Sequence, residues 1–301
     1  MLYLKSFTLA SEGQELDFCM SASRLDMSCY DQNNAYPFHI FPHKGLRRLE
    51  FEPITIIYGT NGSGKSTVLN LIAEKLRLSR TAPFNNAPCM GDYLSLCKYE
   101  TADAHRGIPK ESEIITSDGV FDMLLDVRAI NEGIDQRREA LLSEYDRLKA
   151  DCRDNGWQMQ SLSEYEELKR RNEVRRRSKS QYTSHRLPMR ESRTKSNGET
   201  AFLYFTQKVK ENALYLLDEP ENSLSATLQA ELAGFLFEAV RFYNCQLIIS
   251  THSPFLLSIP GAKVYDLDSL PVRERSWTEL GNVRAYYELF ASHRDEFDHH
   301  V

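Results

Sequence analysis

The sequence has no long apolar run. No stretch of its 301 residues approaches the roughly 20 consecutive apolar residues that a membrane-spanning helix needs. The N-terminus, MLYLKSFTLASEG, alternates polar and apolar residues as a strand does, and it lacks a signal-peptide pattern. We therefore expect no membrane insertion and no secretion.

Paired cysteines are also missing. The six cysteines are scattered, and no two of them form a C-x-x-C pair. This spacing argues against a zinc site or a disulfide framework and favours a reducing, cytoplasmic compartment. With 41% hydrophobic and 27% charged residues and no internal repeat, the chain has the composition of a globular protein of one or two domains.

A phosphate-binding loop is the most informative feature that is present. Residues 59–67 read GTNGSGKST and follow, after one tyrosine, the apolar run Ile-Thr-Ile-Ile at 54–57. A glycine-rich turn between a strand and a helix directs several backbone N–H groups towards nucleotide phosphates. The predicted nucleotide contacts are Asn61, Gly62, Ser63, Gly64, Lys65, Ser66 and Thr67, with Lys65 at the β- and γ-phosphates and Ser66 as a Mg²⁺ ligand.

A second apolar run ends in two acids. Residues 214–217 read Leu-Tyr-Leu-Leu, and Asp218-Glu219-Pro220 follow. Alone, an acidic pair after a strand serves equally well as a helix-capping turn. Beside a phosphate-binding loop it predicts Asp218 as a second Mg²⁺ ligand and Glu219 as the group that orients or deprotonates the attacking water.

A third apolar run ends in a histidine. Residues 247–250 are followed by Thr251-His252-Ser253-Pro254. A lone histidine after a strand is ordinarily a polar loop residue, but parallel strands end at one edge of a sheet. His252 is therefore predicted to contact the γ-phosphate. The alternation of strands and helices predicts an α/β fold with a mostly parallel core sheet.

These three motifs in this order resemble the ABC-type ATPase heads of the SMC, RecF and OLD families, over roughly residues 1–270. The resemblance implies a P-loop NTPase that hydrolyses ATP to ADP and phosphate with Mg²⁺. It also implies an ATP-sandwiched homodimer. A signature motif is expected just before the acidic strand, where Ser196 and the backbone of Gly198 would reach the partner's γ-phosphate.

The same resemblance divides the chain into three parts. Residues 1–118 would be the N-terminal part of the ATPase core, with an antiparallel β portion built on the runs 2–9, 16–20 and 46–51. Residues 119–195 would be an inserted helical hairpin, and residues 196–301 would complete the core with the signature, the acidic strand and the histidine loop.

The sequence departs from the family pattern at two positions. The family usually has a glutamine, which senses Mg²⁺ and water, at a strand end between the phosphate-binding loop and the signature, and this sequence has none there. A possible strand that ends at Ser117-Asp118 is the predicted substitute for that position. Ser225 occupies a position where transporters of this superfamily often carry aspartate. The departure at Ser225 bears on communication between the two sites of a dimer and not on nucleotide binding.

The insertion carries a basic segment. Between Lys169 and Lys195 eleven Lys/Arg stand against two acids, a net charge of +9, so the rest of the chain carries −15 of the total −6. This segment is a candidate DNA-binding site. A solvated helix face or a loop explains the same charges equally well.

Three functions stay open at this point. The leading hypothesis is an ATP-gated dimer in DNA repair or anti-phage defence that works with a separate effector protein. The alternative is the nucleotide-binding subunit of an ABC membrane transporter, which a neighbouring gene for a multi-span membrane protein would favour. The third is an ATP-binding scaffold that barely hydrolyses, against which the intact acidic pair argues.

Overall fold

The computed structural model describes residues 1–21, 36–80, 82–84, 87, 89–103, 105, 107–151, 165–186 and 197–298. The chain forms two compact units. The core unit comprises residues 1–121 and 197–301, and the helical unit comprises residues 122–196. In the described part of the chain, no helix is long and apolar enough to cross a membrane.

The regular elements follow in chain order. The strands are β1 (Leu4–Thr8), β2 (Arg48–Glu50), β3 (Ile54–Tyr58), β4 (Ser79–Arg80), β5 (Lys98–Thr101), β6 (Glu113–Thr116), β7 (Leu214–Asp218), β8 (Gln246–Thr251), β9 (Lys263–Asp266) and β10 (Arg273–Glu274). The helices are α1 (Glu12–Ser21), α2 (Lys65–Leu76), α3 (Met90–Leu96), α4 (Ser117–Asp151), α5 (Tyr165–Arg176), α6 (Lys179–Arg186), α7 (Asn197–Lys208), α8 (Ala226–Phe242), α9 (Pro254–Leu257), α10 (Gly281–Ser292) and α11 (Arg294–Asp298).

A seven-stranded sheet forms the centre of the core unit, in the order β10-β9-β3-β8-β7-β6-β4. All of its pairings are parallel except that of β10 with β9. Every residue of β3 and β8 is buried, as expected for strands that are covered on both faces. The mostly parallel α/β core predicted from the sequence is confirmed.

A smaller antiparallel sheet lies in the order β2-β1-β5. Its inner side chains join a large hydrophobic cluster that also contains residues of α2 and β3, among them Phe7, Leu49 and Leu69. The antiparallel β portion predicted for the N-terminal part is therefore present.

One element of that N-terminal prediction is wrong. Residues 16–20 lie in α1 and not in a strand, and the side chains of Leu16 and Met20 are exposed. Ser11 and Gln14 cap this helix reciprocally: the Gln14 N–H donates to Ser11 Oγ (3.3 Å), and the Ser11 N–H donates to Gln14 Oε1 (3.0 Å). The capping box S-x-x-Q outweighs the short apolar alternation that suggested a strand.

The helical unit is held by a small apolar cluster and by polar contacts from α4 to α5 and to the residue that follows α5. Tyr145, Leu148, Val174 and Tyr182 form the cluster. Lys149 Nζ donates to the carbonyl of Val174 (3.2 Å), and Tyr145 Oη donates to that of Arg177 (3.1 Å). The contact residue advances from 145 to 149 along α4, while its partner goes back from 177 to 174. The two helices therefore run antiparallel.

A buried glutamine joins the two sheets of the core unit. Gln246, the first residue of β8, is fully buried. Its Oε1 accepts the N–H groups of Tyr3 and Leu4, both at 2.8 Å, and its Nε2 donates to the carbonyl of Leu4 at 2.8 Å. One side chain thus makes hydrogen bonds with three backbone groups of the N-terminal segment.

We expect Gln246→Leu to lower the free energy of unfolding by about 2 to 4 kcal/mol, because two buried N–H groups lose their acceptor. Urea unfolding followed by circular dichroism measures the change. The exposed Gln207→Leu on α7 is the control and is expected to change stability little. Equal stability of the two variants would contradict the structural role of Gln246.

Candidate nucleotide site

Three neighbouring parallel strands end at one edge of the seven-stranded sheet. Tyr58 at the end of β3 pairs with Thr251 of β8, and Asp218 at the end of β7 pairs with Ser250 of β8. The loops that follow β3, β7 and β8 therefore leave the sheet side by side. The structure brings together the three motifs that the sequence places far apart.

The phosphate-binding loop has the backbone that its glycines permit. Gly62 and Gly64 have φ values of 81° and 98°, in the left-handed region. A Cβ on Gly59 would lie 2.3 Å from Ser63 Oγ, so any larger residue there would displace Ser63. A Cβ on Gly62 would meet no atom within 4 Å, which leaves open space beside the loop.

Lys65 lies at the first turn of α2 with its amine turned back over the loop. Its Nζ donates to the carbonyls of Gly59 (2.9 Å) and Thr60 (3.2 Å) and lies 3.2 Å from Glu219 Oε1. The side chain is only 4% exposed. A buried ammonium with these partners presents a fixed positive charge to any anion in the loop.

The loop is fastened at its start by an aspartate that the sequence analysis did not identify. Asp268, shortly after β9, accepts the N–H of Thr60 through Oδ2 at 2.8 Å and the Thr60 hydroxyl through Oδ1 at 3.0 Å. Because β9 pairs with β3, Asp268 and the loop leave the sheet as neighbours. Asp268 therefore fixes the entry into the turn.

The other predicted loop residues are distributed between exposed and buried places. Asn61 is exposed and Ser63 is buried, and the Ser63 N–H donates to the carbonyl of Thr60 at 3.1 Å. Thr67 is buried, and its Oγ1 accepts the hydroxyl of Tyr36 at 3.0 Å. Thr67 therefore contributes to packing around α2, and its contact with the nucleotide stays a prediction.

Asp218 and Ser66 form the pair of oxygens that the sequence predicts as a metal site. Ser66 Oγ donates to Asp218 Oδ1 at 3.1 Å, and Ser250 Oγ donates to the same oxygen. Hard oxygen donors of this kind are the ligands that Mg²⁺ takes in proteins, so these residues fit that ion. Burial raises the pKa of Asp218, while the hydrogen bonds from Ser250 and Ser66 act in the opposite direction.

Glu219 is held in an unusual backbone conformation. Its φ is 47°, in the left-handed region, and its N–H points at both the carbonyl (3.0 Å) and the hydroxyl (3.2 Å) of Ser250. Its carboxylate contacts Lys65 through Oε1 and accepts from Asn222 Nδ2 through Oε2 at 3.3 Å. Ser250 thus positions both acids of the pair, although it is hidden inside an apolar strand in the sequence.

His252 lies in the loop after β8, with its backbone fixed on both sides. Its N–H donates to Glu221 Oε1 at 2.9 Å, and its carbonyl accepts from Asn282 Nδ2 at 2.6 Å. The ring is about half exposed. Sequence reasoning missed Glu221 and Asn282, because neither has a motif context that points to the histidine.

Two further predictions concern neighbouring elements. Ser196 lies outside the described residues. Gly198 lies in the first turn of α7, where a Cβ would be 3.1 Å from both Ser223 O and Leu228 Cδ1, so its backbone packs closely on the chain after β7. Thr116 of β6 pairs with Asp218, so Ser117 and Asp118 follow at the same edge, and their role stays a prediction.

The sequence matches the family described as "AAA domain, putative AbiEii toxin, Type IV TA system" over residues 98–258, more than half of the chain. No curated protein matches it.

Similar solved structures include two SMC head domains and a transporter. The head from Pyrococcus furiosus, bound to the C-terminal domain of ScpA, is 14% identical with a TM-score of 0.41, covering 98% of this chain and 100% of that one. The head from Thermotoga maritima is 14% identical with a TM-score of 0.40, covering 91% and 98%. A "putative metal-chelate type ABC transporter" is 16% identical with a TM-score of 0.41, covering 96% and 90%. Identities this low carry no functional assignment.

We expect Asp218→Asn to stabilise the protein at neutral pH when Mg²⁺ and nucleotide are absent. Burial raises the pKa of Asp218, so ionisation of this carboxyl above that pKa destabilises the folded state. The destabilisation disappears when the carboxyl is protonated. Urea unfolding at several pH values in the presence of EDTA tests this. The gain should shrink as the pH falls, whereas Asp17→Asn on the exposed face of α1 should give none. A lower stability of Asp218→Asn than of the wild-type protein at neutral pH would contradict the raised pKa of Asp218.

Proposed function

The chain belongs to the AAA domain family that it matches over residues 98–258, and from that premise we propose that it binds ATP with Mg²⁺ and hydrolyses it to ADP and phosphate. One observation carries the proposal. A buried lysine, an oxygen pair suited to Mg²⁺, a second carboxylate and a histidine lie at one sheet edge, at or just after the ends of β7 and β8 and at the start of α2: Lys65, Ser66, Asp218, Glu219 and His252.

Nucleotide binding rests on the loop and on α2. The backbone N–H groups of residues 61–66 and the start of α2 would hold the phosphates, and Lys65 would supply the compensating charge. Ser66 and Asp218 would hold Mg²⁺, which when bound neutralises charge that develops on the phosphate oxygens.

The contact between Lys65 and Glu219 suggests how binding prepares the reaction. The two groups lie 3.2 Å apart, and the β- and γ-phosphates would compete with Glu219 for the same ammonium. A Glu219 carboxylate released from Lys65 can accept a proton from water. Its backbone stays fixed by Ser250, so the carboxylate keeps its place beside the phosphate chain.

His252 would complete the site from the third loop. A hydrogen bond from its ring to the γ-phosphate would stabilise charge as the bond to the β-phosphate breaks. Catalysis of this kind depends on positioning and charge rather than on covalent chemistry. This fits a site whose polar groups are already fixed by neighbours.

We propose that ATP also joins two copies of the chain, as the resemblance implies. The backbone at Gly198 and the N-terminus of α7 would approach the γ-phosphate in the partner, together with Ser196. Loss of that phosphate on hydrolysis would loosen the pair, so a single phosphate would control the association.

We expect Glu219→Gln to lower the rate of phosphate release by about 100-fold or more, because the group that accepts the proton of water is lost. ATP binding should persist or tighten, because the competing charge beside Lys65 is removed. Sedimentation at saturating ATP and Mg²⁺ should then detect a dimer.

The double variant Lys65→Ala, Glu219→Gln is the control and should stay monomeric, because it lacks the charge that holds the phosphates. A monomeric Glu219→Gln at saturating ATP would remove the roles proposed for Ser196 and Gly198. Equal, near-zero phosphate release from the wild-type protein and from Glu219→Gln would favour the ATP-binding scaffold.

We further propose that the switch acts in a DNA-related process, repair or anti-phage defence, with a separate effector protein. The family description names a toxin of a toxin–antitoxin system, which favours defence. The transporter alternative stays a prediction without a supporting observation in the described part of the chain, and a cytoplasmic location stays a prediction of the cysteine pattern.

Ion pairs within the helical unit reduce the number of basic side chains proposed to contact DNA. Several basic side chains of the segment are neutralised by acids of the same unit: Lys169 by Glu166, Arg170 by Glu144, Arg171 by Glu167, Lys179 by Asp146 and Arg186 by Glu173. No ion pair of Arg175, Arg176 or Arg177 is found among the described residues. The last three basic residues of the segment, Arg190, Arg193 and Lys195, lie outside them.

We expect the triple change of Arg175, Arg176 and Arg177 to Glu to weaken duplex DNA binding and to flatten its salt dependence. Each lost phosphate contact lowers the slope of log K against log salt by about 0.9, so the change should exceed roughly 2 units. Fluorescence anisotropy over a salt series measures both effects.

A triple change of Lys5, Arg47 and Lys98 to Glu is the matched control, because it shifts the net charge equally on exposed positions of the core unit. DNA binding by the helical-unit variant with wild-type affinity and slope would remove the DNA site. Equal losses in both variants would show only a general effect of net charge.

A further inference from the structure

A buried carboxylate lies directly behind the histidine loop. Glu221 follows the acidic pair by two residues, and its side chain is only 4% exposed. Its Oε1 accepts the hydroxyl of Thr251 at 2.6 Å and the N–H of His252 at 2.9 Å, and it lies 3.4 Å from His252 Nδ1. Three polar groups at the end of β8 and in the loop that follows therefore converge on a single oxygen.

The orientation of the His252 ring follows from the same contacts. Nδ1 is buried and has no hydrogen-bond partner among the described residues, while about half of the side chain is exposed. The edge of the ring that carries Nδ1 thus faces Glu221. The opposite edge, which carries Nε2, is the edge left for a ligand.

We propose that Glu221 is a positioning residue that acts through His252 and fixes the ring so that Nε2 addresses the γ-phosphate, an inference that rests on the proposed ATP hydrolysis. Glu221 itself touches no reacting atom in this account. Its Oε1 accepts from the backbone N–H of the histidine and lies 3.4 Å from Nδ1 at one ring edge, while Asn282 donates to the carbonyl on the other side at 2.6 Å.

A purely structural role explains these contacts less well. Glu221 Oε2 is buried without a hydrogen-bond partner among the described residues, and burial raises the pKa of this carboxyl. A buried carboxyl with one unsatisfied oxygen costs stability, so a well-packed apolar residue would serve the fold at least as well. Positioning the His252 ring is a function that offsets this cost.

The experiment is a double-mutant cycle between Glu221 and His252, with phosphate release, ATP affinity and melting temperature measured for each protein. We expect Glu221→Ala to lower kcat by about 10-fold or more, because a small displacement of a catalytic group has effects of this size. The Kd for ATP should stay within threefold of the wild-type value. Glu221→Gln should recover most of kcat, since its amide oxygen still accepts from Thr251 and His252.

The cycle separates positioning from stability. In the His252→Ala background, Glu221→Ala should lower kcat by less than twofold further, because the group through which it acts is gone. Equal losses in the two backgrounds, or a Glu221→Gln protein as slow as Glu221→Ala, would overturn the proposal. If Glu221→Ala does not fold, Glu221→Asp takes its place, because its shorter side chain keeps the charge but cannot reach both loop donors.

Glu113→Gln is the matched control. Glu113 is a partly buried acid at the opposite end of the sheet, paired with Lys208 at 2.9 Å, and its change should leave kcat unaltered. The two proposals fail separately. A wild-type protein that releases no phosphate ends the proposed function, whereas an active wild type with independent effects of Glu221 and His252 ends only the positioning role.

Discussion

The candidate site depends on one half-buried carboxylate, that of Asp218, and on the two hydroxyls that donate to it. Asp218 accepts from Ser66, which belongs to α2, and from Ser250, which belongs to the adjacent strand β8. These bonds tie the phosphate-binding loop, the acidic strand and the histidine strand to one oxygen atom. Burial raises the pKa of Asp218, and the hydrogen bonds from Ser250 and Ser66 act in the opposite direction.

Backbone geometry transmits this constraint to the rest of the site. Ser250 also accepts a hydrogen bond from the N–H of Glu219. Thr251 and His252, which follow Ser250, both donate to Glu221. Glu219 and His252 are thus held in place by hydrogen bonds with residues of neighbouring segments. Such fixing is what a reaction based on charge and positioning requires.

The sequence predicted the fold and the three site loops because each depends on local pattern. Continuous apolar runs identify β3, β7 and β8, and parallel strands must end at one edge. The sequence could not predict Ser250, Glu221, Asp268 or Asn282, because their roles arise from strand register and from contacts between distant segments. Leu16–Met20 was assigned wrongly because a few alternating residues outweighed a capping box whose signal, Ser11 with Gln14, was readable.

The basic segment illustrates a different limit. The sequence shows the basic residues of this segment but not the acids with which they pair. In the structure, several of them form ion pairs with acids of the same helical unit. Within the described part of the segment, the basic residues for which no ion pair is found are the run Arg175, Arg176 and Arg177.

The most direct test of the central claim is a crystal structure with a non-hydrolysable ATP analogue and Mn²⁺ in place of Mg²⁺, with diffraction measured at the manganese edge. The account predicts one anomalous peak between Ser66 and Asp218, with the terminal phosphates against Lys65. A peak elsewhere, or a nucleotide bound outside the 59–67 loop, would contradict it.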